Sequence, residues 1–101
     1  PGAFTPTEIL TAWRAGADVV KVFPATSLGP QCFRDLRGPL PEVRLMPTGG
    51  VTVENAGAFL AAGAALVGIG TALVDAGTVE AGDWATITAR ARRLAGSLRG
   101  V

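Results

Sequence analysis

Histidine and tyrosine do not occur in this 101-residue chain, cysteine and methionine occur once each, and charged residues reach only 17%, against about 25% in ordinary soluble domains. With no imidazole and a single thiol, Cys32, an internal disulfide is impossible and a transition-metal site is not expected. No metal or cofactor is therefore implied. No apolar run approaches membrane-spanning length and no secretory leader is read. At a net charge of +1 the chain also lacks the basic stripe with interleaved aromatics that marks a nucleic-acid face. The expectation is a cytoplasmic protein with neither a membrane nor a nucleic acid as partner. What fills the chain instead is apolar: hydrophobic residues make up 49%, so much of it must be buried.

Lysine is nearly absent too. Of nine basic residues, eight are arginines and one is Lys21, set inside the apolar run Asp18-Val19-Val20-Lys21-Val22-Phe23-Pro24. A guanidinium neither loses its proton near neutrality nor adds to a carbonyl, whereas a desolvated ammonium can be pushed toward the free amine. Lys21 is the candidate Schiff-base nucleophile. The bland alternative is a snorkelling surface lysine at a strand end.

Periodicity alternates strand and helix. Thr5-Pro6-Thr7-Glu8 spells an N-cap, a proline at the first helical position and a capping-box glutamate, and Ile9, Leu10 and Trp13 supply a stripe that Gly16 closes. A strand over 19–23 follows, then a short helix from Pro30 through Cys32, Phe33 and Leu36 to Gly38-Pro39. A second strand is expected over 42–47, a helix capped by Thr52 running to Gly63, a third strand over 65–69 and a short helix after Gly70. The last helix starts at Asp83 and carries Trp84, Ile87, Ala91, Leu94 and Leu98 on one face, with Arg90, Arg92, Arg93 and Arg99 on a solvated one. Trp13, Trp84, Phe33 and Phe59 are expected as packing residues, and Cys32 as a small buried hydrophobe.

The pattern repeats. Gly2-Ala-Phe-Thr5, a helix and Gly16-Ala-Asp-Val-Val-Lys-Val recur 47 residues later as Gly49-Gly-Val-Thr52, a helix and Gly63-Ala-Ala-Leu-Val-Gly-Ile. Apolar strands flanked by helices imply an α/β fold with parallel strands. Repeated βα units point to a parallel (β/α) barrel of TIM type, which needs roughly 200 residues or more, so the chain is expected to be its C-terminal half. The opening Pro1-Gly2-Ala3-Phe4-Thr5, without initiator methionine or preceding strand, is read the same way, as a strand-to-helix junction with the N-terminal half outside this sequence. A half-barrel would have open strand edges and an uncovered inner face, which invite association. A doubly wound sheet shares the same local pattern.

On the pleat Val19, Lys21 and Phe23 face one way and Val20 and Val22 the other. Met46-Pro47-Thr48-Gly49-Gly50-Val51 places two glycines between a strand and a helix start, where backbone N–H groups can approach an oxyanion. Gly68-Ile69-Gly70-Thr71 offers a second such turn with a hydroxyl. Each alone could be an ordinary turn or a point of close packing. Together with the amine they describe a site for a phosphorylated carbonyl compound.

At these residues the sequence resembles the C-terminal half of the 2-keto-3-deoxy-6-phosphogluconate (KDPG) / 4-hydroxy-2-oxoglutarate aldolases, through Pro1-Gly2-x-x-Thr5-Pro6-x-Glu8, Lys21-Val22-Phe23-Pro24-Ala25, Gly38-Pro39 and Met46-Pro47-Thr48-Gly49-Gly50-Val51. The resemblance covers essentially the whole chain. It implies a metal-free class I lyase in which Lys21 forms the imine, Phe23 and Thr48 line the pyruvate pocket, and Gly49, Gly50, Gly70 and Thr71 hold phosphate. It also implies a small phosphorylated 2-keto acid as substrate, a homo-oligomer (trimeric in the family) and a general base, a glutamate with a nearby arginine, on earlier strands. None of Glu8, Glu42, Glu54 and Glu80 is expected to serve as that base. The other expectations are a related phosphate-binding barrel such as a thiamine-phosphate synthase, or a non-catalytic half-barrel.

Overall fold

The computed structural model describes residues 2–99, so Pro1 of the opening motif lies outside it. Three short strands, β1 (Gly2–Ala3), β2 (Val20–Val22) and β3 (Leu45–Pro47), form a parallel sheet in sequential order. Between them run α1 (Pro6–Arg14) and α2 (Gly29–Arg37), the latter preceded by a 3-10 turn at Ala25–Ser27. After β3 come α3 (Ala56–Ala61), α4 (Ala76–Glu80) and α5 (Trp84–Leu98). Crossovers of helix length are what parallel neighbours require.

The pleat sorts the side chains. Val20, Val22, Leu45 and Pro47 are buried, while Lys21 is exposed and Met46 half-buried. Ile9 of α1, Phe33 and Leu36 of α2 and Ala56 and Phe59 of α3 join Val20, Val22 and Leu45 in a single cluster. Phe33 and Phe59 meet edge to face, centroids 5.3 Å apart at 82°, an arrangement worth about 0.5–1.5 kcal/mol beyond area burial. A doubly wound sheet divides its helices between two faces. Here α1, α2 and α3 pack on one, and the face carrying Lys21 is left open among the described residues.

The repeat is physical as well as textual. The Thr5 N–H donates to Glu8 Oε1 at 2.9 Å while Thr5 Oγ1 accepts from the Glu8 N–H at 3.2 Å. Forty-seven residues on, Thr52 and Asn55 exchange the same two bonds, at 2.7 and 3.2 Å. Regular helix begins only at Ala56, but Thr52 O already accepts from its N–H at 3.0 Å, so Thr52 caps as its sequence context suggests. Gly16 (φ 104°) and Gly63 (φ 112°) end the two helices in matching Schellman turns.

Several expectations need correcting. Gly2–Ala3 is itself a strand, paired with Lys21 and Val22; two small residues carry no periodicity to announce it. The strand expected over 65–69 is an extended segment with one isolated bridge, Gly68 to Thr48, and two main-chain bonds, Ala65 N–H to Leu45 O and Gly68 N–H to Pro47 O. Its other edge has no partner among the described residues, so no ladder forms. After Gly70 there is one turn, with Leu73 and Val74 N–H donating to Gly70 O, before α4 starts under an Asp75 cap. Trp84 is 61% exposed rather than packed, because it opens the outermost helix, which reaches the core only through Leu94 and Leu98.

Arg90 is not simply solvated: its guanidinium reaches Asp75 at 2.6 Å and Leu73 O at 3.2 Å, tying α5 to the start of α4. Hydrogen bonds from the Thr78 side chain and then from Arg90 hold the Asp75 carboxyl well below the usual carboxylate range. A lowered folded-state value means the contribution is complete above the unfolded pKa of about 4 and is lost as pH falls through the folded one. Asp75→Asn is therefore expected to lower the thermal midpoint at pH 7, and the gap to the parent should narrow steadily below pH ~4. A gap of constant size from pH 7 to pH 2 contradicts this.

Candidate functional site

Parallel pairing brings the expected residues to one end of the sheet. Lys21 stands in register between Gly2 and Met46, with no side chain on the first neighbour. Its Nζ lies 5.3 Å from the centroid of the Phe23 ring, within cation–π range. Phe23, just past β2, is anchored by its N–H to Ala3 O at 3.1 Å and exposes 52% of its surface. The ring then runs along Gly49: a Cβ there would lie 2.8 Å from Phe23 Cε2. Amine, ring and glycine turn are thus contiguous.

Thr48 continues β3. Its N–H donates to Val22 O at 2.9 Å, and its carbonyl accepts from Ala25 N–H at 2.8 Å. Its Oγ1 is buried without a hydrogen-bond partner among the described residues, an uncommon state for a buried hydroxyl. Gly68 leaves the room for it, since a Cβ there would lie 2.5 Å from that oxygen. Gly49 and Gly50 follow at φ 84° and 76°, a conformation L side chains adopt rarely.

Phe23, Thr48, Gly49, Gly50, Gly70 and Thr71 line one cavity of about 410 Å³. Val51, Thr52 and Ala72 complete its wall. Lys21 is not on that wall but beside it, across the Phe23 ring. The amine was expected to be desolvated; in the structure it is exposed, because nothing described covers its face of the sheet.

Among the described residues no carboxylate lines the cavity. Glu8 and Glu54 are lowered in pKa, Glu8 first by the Thr5 N–H and Glu54 first by a main-chain N–H with Thr52 and Arg93 adding to it. A base working near neutrality needs the opposite shift. Burial, then Asp35, pushes the Cys32 thiol up, so it stays protonated and unreactive, as a half-buried residue against the core.

Sequence reasoning passed over two residues that shape this site. Thr26 fills the space beside Gly50, where a Cβ would collide with it. Asn55 donates from Nδ2 to Gly50 O at 2.9 Å. The only signal for Asn55 was its place three residues after Thr52.

The sheet and cavity define an α/β domain of successive parallel βα units with a glycine-lined hollow at the strand ends. Residues 1–90 match the family model for KDPG and KHG aldolase, and the chain belongs to that family. It is 42% identical over 78 residues to a 2-dehydro-3-deoxy-6-phosphogalactonate aldolase of Escherichia coli K12, covering 76% of this chain and 38% of that protein. A 2-dehydro-3-deoxy-phosphogluconate aldolase of Pseudomonas aeruginosa is 38% identical over 88 residues, covering 86% of this chain and 40% of that one. A solved structure described as native KDPGal superposes with a TM-score of 0.85 at 35% identity, over 99% of this chain and 47% of that one. The chain spans about two-fifths of the length of these curated relatives.

Proposed function

We propose that this chain is the C-terminal half of a (β/α)₈ barrel that works as a class I aldolase, cleaving 2-keto-3-deoxy-6-phosphogluconate to pyruvate and glyceraldehyde 3-phosphate and accepting 4-hydroxy-2-oxoglutarate. The observation that carries the reading is the contiguity of Lys21, Phe23 and the Gly49–Gly50 turn, the ring and the turn lining one cavity and the amine standing beside it across the ring. Sequential parallel strands with all packed helices on one face support the barrel. The open face would then be the barrel interior, so that Lys21 would be desolvated only once the remaining strands close over it.

Lys21 Nζ adds to C2 of the keto acid, and loss of water gives an iminium. A base removes the C4 hydroxyl proton, the C3–C4 bond breaks and its electron pair flows through C3 to nitrogen as an enamine. The aldehyde leaves, C3 takes a proton, and hydrolysis of the imine releases pyruvate and restores the amine. The cationic nitrogen holds the developing charge without a metal. The phosphate sits against the glycine turn and the turn after Gly70, where N–H groups and a helix start favour an anion. The base comes from strands these 101 residues do not include. On this reading the chain alone holds the nucleophile and the phosphate cup but is catalytically incomplete.

A homo-oligomer in the cytoplasm belongs to the same proposal. Exposed Phe4, Leu66, Val74 and Val79 supply apolar surface for association, and no described helix is long and apolar enough to cross a membrane. Family membership favours the aldolase over a thiamine-phosphate synthase. The test is incubation with pyruvate and borohydride followed by peptide mapping. The expected result is a stable adduct on Lys21, the mass of pyruvate less one water plus two hydrogens; recovery of unmodified Lys21 at saturating pyruvate refutes the mechanism.

A further inference from the structure

We propose that Asn55 is a positioning residue that aims the Gly49–Gly50 turn at the substrate's phosphate and thereby sets the preference for phosphorylated over unphosphorylated 2-keto acids. The inference rests on the aldolase reading above and assigns a role to a side chain that reading does not use.

For a backbone turn to attract an anion, its N–H groups must face the ligand and its carbonyls must face elsewhere. Gly50 has no side chain to fix which way its peptide points, and φ 76° belongs to a region that glycine enters and leaves freely. Asn55 supplies the constraint. Nδ2 donates to Gly50 O at 2.9 Å, so that carbonyl is taken by the helix start, while Oδ1 accepts from Thr52 N–H at 2.7 Å. Gly50 and Thr52 both line the cavity.

The repeat shows that the second bond exceeds what helix capping needs. Glu8 occupies the position equivalent to Asn55 in the first βα unit, and its carboxylate closes the cap on Thr5 with acceptors alone. Having no donor, it cannot hold the carbonyl of Ala3, the counterpart of Gly50. Ala3 needs no such hold, because its carbonyl accepts from Phe23 N–H within the sheet. Of the two equivalent cap positions, the carboxamide, with donor and acceptor on one group, stands at the one where a carbonyl outside the sheet must be turned.

The test uses the enzyme containing this chain together with the rest of its barrel. Asn55→Ala removes both the donor to Gly50 O and the Oδ1 acceptor of the Thr52 N–H but leaves the main-chain cap from Asn55 N–H to Thr52 Oγ1; the bond to Gly50 is the one that turns the phosphate loop. It is expected to raise KM for 2-keto-3-deoxy-6-phosphogluconate by about three- to tenfold, the worth of one neutral hydrogen bond, with kcat changed less than about twofold. KM for 4-hydroxy-2-oxoglutarate should stay within about twofold. Asn55→Gln, which keeps donor and acceptor, should restore most of the loss. Equal increases for both substrates, or no increase for either, overturn the role.

If Asn55→Ala lowers the unfolding midpoint below the assay temperature, Asn55→Glu, which copies the Glu8 cap and lacks the donor, must show the same split. If the parent cleaves neither substrate, the aldolase reading fails separately, and titration with inorganic phosphate decides this inference. Weaker phosphate binding by Asn55→Ala than by the parent supports it; equal binding, or none by the parent, overturns it.

Discussion

Replacing Lys21 by arginine is expected to lower aldol cleavage by the complete enzyme by at least about 10³-fold, roughly 4 kcal/mol of barrier, while leaving the thermal midpoint of the 101-residue chain by itself where it was. The two halves of this expectation rest on different observations. In the 101-residue chain Lys21 is exposed on the sheet face opposite the core, so its replacement there removes no buried contact, and surface changes of this kind stay within about 0.5 kcal/mol. Arginine also keeps the positive charge and can stack on Phe23 as the ammonium does at 5.3 Å. What it cannot do is add to a ketone. If the amine served only as a counter-charge for the substrate's carboxylate, the variant would retain much of its rate. Measured kcat/KM within about tenfold of the parent therefore eliminates the imine, as does a borohydride adduct mapped to another residue.

The residues expected at the site come together more closely than the elements around them follow the expected pattern: six line one cavity and Lys21 stands beside it. Lys21 stood out as the one amine among arginines, Gly49 and Gly50 as paired glycines at a strand end, and Gly70 and Thr71 as a second glycine turn, while Phe23 and Thr48 were marked by the family resemblance. Neither signal is specific alone, since a strand-end lysine can be a surface residue and a glycine pair an ordinary turn; their joint occurrence in order is what pointed to the site. The start of α1 was equally plain, since Thr5, Pro6 and Glu8 carry all the information for a cap within four positions. The alternation of the long apolar run placed Val20 and Val22 against the helices and Lys21 on the far side, as found.

Long-range pairing was less visible. Gly2–Ala3 became a strand only through β2, and the 65–69 segment kept its strand-like composition without a second neighbour to complete a ladder. Trp84 looked like core because of its size and spacing; burial depends on what packs over it, which a single helix cannot specify. Arg90 was read as solvated from its place on the polar face of α5, yet Asp75 lies fifteen residues back at the start of another helix. Asn55 escaped for a related reason. Its bond to Gly50 exists only once the turn has folded back on the helix it precedes.

That turn also furnishes the second large effect. Gly50→Ala is expected to cost about 2–5 kcal/mol, combining about 1–2 for a side chain in the left-handed region with about 1–3 for overpacking. The overpacking is specific: a Cβ at Gly50 would lie 2.8 Å from Thr26 Cβ and 3.0 Å from its Cα, so a rotamer change cannot clear it. Gly82 is the control, with φ 65° but nothing within 4 Å of its would-be Cβ. Gly82→Ala should show only the backbone part, about 1–2 kcal/mol, and no change in substrate preference. Because relief of the collision must move the Gly50 peptide, Gly50→Ala should also weaken the phosphorylated substrate by more than about tenfold while affecting the unphosphorylated one much less. Combining it with Thr26→Gly removes the Thr26 hydroxyl and Cβ, leaving only Cα at 3.0 Å, and should recover most of the overpacking share in a double-mutant cycle. If Gly50→Ala and Gly82→Ala cost the same in urea unfolding, or if Thr26→Gly recovers nothing, the close packing of Thr26 on the glycine turn does not shape this site.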